Sequence, residues 1–361
     1  MTSTSRVLVT GAGGIAGVNF VRSLRVSPKE FFIIGTDFNK YYLEFPDVDM
    51  KINSPRHSDP GFLDLVKKTV SENGIQFVHP QPSSEAEVIA ANRESIAAAT
   101  LLPPTEVIAR DKLQTLQILQ SAGIPVPKTN TIDSMENFDS AYETVGGGRV
   151  WVRAKKGAGG NLSLSCGNAD EAKKWIQLWI SNGRATLDDF MFHEYLPGRN
   201  IAWDSLWYDG RFISAFARER LDYPLKHVAP SKITGTPSVS RIIIDENVNK
   251  IGKGAIRALD PKPHGSYALD LKEDANGFAK VTEVDAGKFH STTPLWGYIS
   301  TKILGQDPLK NIPYSYLRAG LDGRPPEIQG DDIYPAGTYL LRNIDCGAWL
   351  WYEDGSKVRV I

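Results

Sequence analysis

Two periods of apolar and polar positions follow one another along this chain, and their order predicts the architecture. Residues 6–10 (RVLVT) are a continuous apolar run of the kind buried on both faces of a sheet. They lead through Gly11, Gly13, Gly14 and Gly17 into Ile15, Val18, Val21 and Leu24, which recur at helical spacing. A second strand-like run at 31–36 ends at Asp37, and an amphipathic stretch at 61–73 precedes a third run at 75–79. Alternation of this kind predicts a doubly wound parallel sheet.

Further along, a helix begins near Ser84 and Pro103-Pro104 breaks the chain. A second helix starts near Asp111 with Leu113, Leu116 and Leu119 on one side, and Gly123 and Pro125 stop it. Strand patterns then return. The run ending in Arg153 and a strand starting at Leu162 flank a loop with Lys155, Lys156, Gly157, Gly159 and Gly160, a composition that closes backbone N–H groups and cations on phosphate oxygens. A flexible surface hairpin is the bland alternative. Ala172, Trp175, Ile176, Trp179 and Ile180 form a core stripe on the next helix. A strand at 190–198, a hairpin of 201–208 and 211–219 around Asp209-Gly210, and a helix at 246–259 follow. Strand-like runs at 338–342, 347–352 and 357–361 predict a small β appendage.

The chemistry concentrates between 265 and 289. Runs at 266–272 and 278–284 flank Asn276-Gly277, a pair suited to a type I′ turn. A loop of those two residues places Asp270 directly across from Glu283, with Asp285 on the same face. Facing like charges destabilise a sheet, so three carboxylates ask for a cation. An all-oxygen set suits Mg²⁺ or Mn²⁺ held with substrate phosphates; a solvated acidic face is the other reading.

With 361 residues, 41% hydrophobic content and a net charge of -1, the chain has the size for two or three domains and no electrostatic footprint for nucleic acid or an anionic membrane. No apolar run approaches the roughly 20 residues of a membrane span. The opening MTSTSRVLVTG enters a strand pattern at once, without the apolar core of a signal peptide. Cys166 and Cys346 are too few for a disulfide framework, which makes a reducing cytoplasm the expectation. Gly11, Gly14 and Gly17 with Asp37 also resemble the fingerprint of nicotinamide-dependent short-chain dehydrogenases and epimerases. That family needs Tyr-x-x-x-Lys near mid-chain, and the match here, Tyr298 to Lys302, comes far too late.

Asp111-Lys112, one helix, then Gly123-Ile-Pro-Val-Pro127 resembles the start of an ATP-grasp domain, and the preceding hundred residues look like the Rossmann-like domain of carbamoyl-phosphate-synthase-like enzymes. The resemblance implies an α/β and α+β fold: a Rossmann-like pre-ATP-grasp domain at 1–104, a first lobe at 105–190, a second lobe at 191–320 and the β appendage at 321–361. It implies a carboxylate-amine ligase that uses ATP and Mg²⁺ (or Mn²⁺). Lys112 and Arg153 match the nucleotide-binding cations, Gly157, Gly159 and Gly160 the phosphate cover, with Lys155 or Lys156 contributing. The backbone of Glu194, Tyr195 and Leu196 matches the adenine edge, and Asn200 stands where the family often has a ribose-binding glutamate. Asp270, Glu283 and Asp285 match the metal set, Asp285 replacing an asparagine. Lys288 lies one residue out of a common basic position and would stabilise an acyl phosphate. The forks of Arg218 and Arg220 suit a carboxylate or acyl phosphate, and the loop at 224–241, with Lys226, His227 and Lys232, faces the acceptor. Expected partners are a small-molecule carboxylate and an amine, with no nucleic acid or membrane; a homodimer is left open. The alternatives are a short-chain NAD(P)-dependent epimerase or reductase and a non-catalytic ATP-binding protein.

Overall fold

Strands β1 (Ser5–Thr10), β2 (Phe31–Asp37), β3 (Met50–Asn53) and β4 (Phe77–Pro80) form a parallel sheet in the order β3-β2-β1-β4. The structure is a computed structural model that describes residues 4–156, 162–344 and 348–361. Helices α1 (Ile15–Arg25), α2 (Gly61–Asn73) and α3 (Ser83–Ala91) cover this sheet. The parallel sheet agrees with the sequence pattern, apart from β3. That edge strand has no buried residue and shows no apolar pattern; it is recruited by backbone pairing with Ile34 to Asp37.

Two short helices, α4 (Thr105–Ile108) and α5 (Lys112–Ser121), carry the chain to a second sheet. Here β5 (Thr129–Thr131), β6 (Val150–Ala154), β7 (Leu164–Cys166) and β8 (Phe190–Glu194) run antiparallel in the order β5-β8-β6-β7. Helices α6 (Phe138–Thr144) and α7 (Ala169–Ser181) close its core. On α7, Ala172 and Ile176 are buried and both tryptophans pack partly against them, whereas Ile180 at the end of the expected stripe is exposed.

The third sheet has eight strands in the order β13-β12-β9-β10-β11-β14-β15-β16. They are β9 (Asn200–Tyr208), β10 (Arg211–Asp222), β11 (Val239–Ile243), β12 (Gly265–Glu273), β13 (Ala279–Ala286), β14 (Tyr339–Arg342), β15 (Ala348–Trp351) and β16 (Lys357–Arg359). Asp209 and Gly210 both take positive φ, 50° and 82°, so the first hairpin closes as a type I′ turn. Helix α8 (Glu246–Leu259) lies on one face against Trp203, Ala217, Leu269 and Leu271. Gly252 lets it approach: a Cβ there would meet the Trp203 ring at 2.6 Å. Because side chains alternate, the residues between these apolar positions all project from the opposite face.

The tail is not a separate appendage. β14 pairs with β11 and extends the large sheet, and Leu340, Ala348, Leu350 and Val360 share one core with Val7, Phe20 and Phe77 of the first domain. Helices α9 (Thr293–Lys302) and α10 (Ile312–Asp322), placed in the second lobe by chain order, join that same core through Leu295, Trp296, Tyr316 and Leu317. Burial of distant apolar segments, which no local pattern reports, decides this arrangement. No helix among the described residues is long and apolar enough to cross a membrane.

His79 ends up inside this shared core. It stacks on Phe20 at 3.8 Å, with Nε2 3.1 Å from the Gln81 amide oxygen and Nδ1 3.4 Å from the Tyr316 hydroxyl. Burial pushes its pKa down to about 3. The unfolded chain therefore takes up this proton first, and folding stability falls as pH drops below about 6.5. Lowering pH from 6.5 to 5 costs about 2 kcal/mol through this group. Urea denaturation at both pH values should show a smaller difference in His79→Gln than in the native chain; equal differences would refute the assignment.

Candidate functional site

The carboxylate hairpin reaches the expected pairing by an unexpected route. Asn276 does not take positive φ; the loop is the three residues 275–277 with Gly277 at φ 81°, and Asp274 Oδ1 accepts from the N–H groups of Asn276 and Phe278. A three-residue loop moves the register by one residue, so Leu271 faces Val281. A bulge at Thr282 then restores it, and Asp270 faces Glu283 after all. Two offsets cancel because Leu269, Leu271, Val281 and Val284 must stay on the helix-covered face. Asp285 stands across from Ala268, on the same face as the other two acids.

Side-chain cations neutralise these acids, which corrects the argument that only a divalent ion makes them tolerable. Glu283 is held by Arg153 of the smaller sheet and by Lys112 at the start of α5: Arg153 Nη2 lies 2.6 Å from Oε2, Lys112 Nζ lies 3.2 Å from Oε1, and Arg153 Nη1 donates to the Thr282 carbonyl. Arg220 Nη2 lies 2.6 Å from Asp270 Oδ1, and Lys288 Nζ lies 3.0 Å from Asp285 Oδ1. Burial alone would raise the Asp270 carboxyl, but Arg220 and His290 outweigh it and hold the pKa well below the usual carboxylate range. Lys288 likewise loses charge stability to burial, yet Asp285, Glu283 and Asp270 together raise its pKa. Among the described residues no three His, Cys, Asp or Glu side chains are grouped closely enough to hold a metal ion.

Arg218 is placed differently from the sequence reading. Its guanidinium is 1% exposed and bonded to Asp204, which is buried in the middle of β9. Asp204 also accepts from Thr293 Oγ1 at 2.8 Å and lies 3.1 Å from His290 Nδ1. Burial opposes ionisation of Asp204, and Arg218 with His290 overrides it, so its pKa is lowered. Arg218 therefore lies beneath the site as a buried cation paired to Asp204, leaving Arg220, 10% exposed, as the fork nearer the carboxylate face. His290 ties the layers together, with Nε2 3.3 Å from Asp270 Oδ1 and 3.8 Å from Asp285 Oδ2. Asp204 and His290 were both missed. An acid inside the apolar run IAWDSLWY was the signal for Asp204; His290 carried none.

The other expected residues are placed as follows among the described residues. Lys155 pairs with Asp188 at 2.6 Å, Lys156 is exposed, and Gly157, Gly159 and Gly160 lie outside the described residues. Glu194 ends β8, where Oε1 accepts from Lys280 at 2.5 Å and from the Lys128 N–H at 3.1 Å. Tyr195 is exposed, Leu196 is buried, and this segment passes directly into β9 of the large sheet. Asn200 Nδ2 donates to the Tyr223 hydroxyl at 3.0 Å. Lys272 faces Asn200, carries no ion-pair partner among the described residues, and has its pKa lowered by burial. His193 is buried within β8. The loop after β10 keeps Lys226 paired to Asp222 at 2.7 Å.

The glycine loop after β1 is used internally. Asp37 Oδ2 accepts from the Gly13 N–H at 3.0 Å, a Cβ on Gly13 would strike the Tyr42 backbone at 2.6 Å, and a Cβ on Gly17 would strike the Gly11 carbonyl at 2.4 Å. Buried Glu85, whose pKa burial pushes up to about 7, adjoins the loop. Close packing requires glycine at positions 13 and 17.

No family model and no curated protein sequence matches the chain. Solved structures do. The L-amino acid ligase from Bacillus licheniformis superposes with a TM-score of 0.67 at 15% identity, covering 94% of this chain and 79% of that one. The N5-carboxyaminoimidazole synthetase from Staphylococcus aureus, complexed with ADP, gives 0.67 at 13% identity over 94% and 83%. The biotin carboxylase domain of 2-oxoglutarate carboxylase from Hydrogenobacter thermophilus, in complex with MgADP and bicarbonate, gives 0.68 at 15% over 94% and 74%. The likeness shows the ATP-grasp fold that the sequence motifs resemble.

The buried Asp204 and Arg218 pair yields a stability test. Asp204→Ala strands a guanidinium without its counter-charge and should cost about 3–5 kcal/mol. Replacing both partners, Asp204→Leu with Arg218→Met, should recover most of that loss in chemical denaturation. A double variant as unstable as the single one would refute the pairing as the cause.

Proposed function

We propose that the chain is an ATP-dependent ligase that activates a carboxylate as an acyl phosphate and joins it to an amine or similar nucleophile, releasing ADP and phosphate. The observation that carries this reading is the convergence of Lys112 and Arg153, from the first lobe, on Glu283 in the hairpin of the second. Cations from α5 and the smaller sheet meet carboxylates of the large sheet across a seam bordered by the β8–β9 connection. Such a seam suits a nucleotide triphosphate, whose phosphates need cations and whose accompanying metal needs acids. The ADP and MgADP bound by two of the similar structures support the same reading.

Asp270, Glu283 and Asp285 have the chemistry of an Mg²⁺ donor set, being hard oxygens on one sheet face with side chains 19% to 27% exposed, but as placed they are not grouped closely enough to hold an ion and would have to draw together around it. When bound there, the ion would neutralise phosphate charge. The protein's cations must then change partners. Lys112 and Arg153 would leave Glu283 for phosphate oxygens, and Lys272 beside Asn200 would add a positive charge near the nucleotide. Carboxylate oxygen attacks the γ-phosphorus and ADP leaves; the amine then attacks the acyl carbon and phosphate leaves. Arg220, Lys288 and His290 line the face where negative charge accumulates in both steps. Positioning and charge neutralisation carry such a transfer. Arg218 acts at one remove, by fixing Asp204 and through it His290.

Glu283→Gln tests this exchange. Its loss should lower acid-dependent ADP release at least about 100-fold, a transition-state loss of roughly 3 kcal/mol. It should also free Lys112 and Arg153, so that ATP without Mg²⁺ binds at least as tightly as to the native chain while the Mg²⁺ dependence disappears. Both are read by isothermal titration with and without the metal. Native turnover in this variant would refute the assignment. Nucleotide binding without ADP release against broad acid and amine pools would instead make the chain a non-catalytic binder.

A further inference from the structure

Arg342, on β14 of the tail, differs from the paired cations of the site. Its Nε donates to the Pro237 carbonyl at 2.9 Å and its Nη2 to Thr236 Oγ1, both neutral acceptors. Among the described residues no carboxylate pairs with it and Nη1 has no hydrogen-bond partner. Burial first, then the like charge of Arg218, pushes its pKa down to about 10. A guanidinium held by neutral acceptors near a second cation is one half of an ion pair.

The space beside it can take the other half. Arg342 lines a cavity of ≈ 410 Å³, within the roughly 300–1,000 Å³ of small-molecule pockets. Pro224, Leu225, Val239 and Leu341 supply apolar walls, and Tyr223 forms part of the lining. The Tyr223 hydroxyl accepts from Asn200, and its neighbours in charge are Arg220 and Asp270, so the cavity adjoins the carboxylate face. Thr236, which holds Arg342, is 2.5 Å from Ser291 Oγ, next to His290 in the chain. The charges of the cavity's described residues nearly cancel: Asp222 and Lys226 pair at 2.7 Å, leaving Arg342 uncompensated among the described residues. One unmatched positive charge selects a monoanion. A phosphate monoester, close to a dianion at neutral pH, would leave the pocket negative.

We propose that this cavity binds a small monocarboxylate substrate, with Arg342 taking its carboxylate and Leu225, Val239 and Leu341 its apolar body. The proposal rests on the ligase reading for the use made of that carboxylate. The tail thereby contributes a specificity residue to a site otherwise built from residues before 292.

The test uses the full chain as native protein and as Arg342→Gln, Arg342→Lys and Leu225→Asp. The last places an acid at the exposed mouth of the cavity, at a left-handed position that aspartate tolerates, and so disturbs the fold little. Thermal shift and ADP release are measured with pools of amino acids, short aliphatic and aromatic monocarboxylic acids, and phosphate monoesters. At least one monocarboxylate pool should stabilise the native chain. Arg342→Gln and Leu225→Asp should raise the half-saturating acid concentration about 30-fold, with Arg342→Lys intermediate and the KM for ATP unchanged within about twofold. Unchanged acid affinity in both variants, preference for the phosphate monoesters, or no response to any acid pool would overturn the proposal. Acid binding that depends on Arg342 in a chain that MgADP fails to stabilise would overturn the ligase reading and leave this subsite standing.

Discussion

Asp270 and Glu283 face each other on neighbouring strands, and the rest of the site follows from what that repulsion requires. Each acid must recruit a positive charge, and the charges come from different parts of the chain: Arg220 from the same sheet, Arg153 from the smaller one and Lys112 from the start of α5. Neutralising the hairpin therefore also ties the two lobes together. The cations involved are those a phosphate chain would need, so occupying the seam and releasing Glu283 are one event. A site built this way responds to a ligand by exchanging partners, with little need to create new charge.

Beneath this exchangeable layer lies a fixed one. Asp204 and Arg218 are fully buried, and their pairing anchors His290 between Asp204 and Asp270. Removing one partner would leave an uncompensated charge in the core, whereas the upper pairs can be screened or replaced. The distinction explains why two arginines two residues apart on β10 do different things. Arg220 reaches the face where acids are partly exposed, and Arg218 points beneath it.

The first domain packs its glycine loop closely: Asp37 accepts from the Gly13 N–H, and the Tyr42 backbone lies against Gly13 where a side chain would sit. Its core is completed from the far end of the chain, by α9, α10 and the tail strands. That closure brings Arg342 to the flank of the carboxylate face, so a segment without a chemical motif of its own gains a role from where it packs.

Much was legible in the sequence wherever the cause was local. Apolar periodicity marked β1, β2, α2 and α8, and Asp209-Gly210 was a turn because both residues tolerate positive φ. Asp270, Glu283 and Asp285 could be singled out because spacing along a strand sets which face a side chain takes, whereas Lys112 and Arg153 were reached through the family resemblance. The facing of Asp270 and Glu283 was legible for an incomplete reason: alternation of faces dictated it, while the turn itself was misread and Thr282 made up the difference. Tertiary structure alone decided the rest. Whether an arginine is buried beneath a site or exposed within it, whether a tail is an appendage or the edge of a sheet, and which cation answers which acid all depend on contacts between residues far apart in the chain. Local pattern holds no record of those contacts, because the free energy that selects them comes from burying surfaces that meet only once the chain has folded.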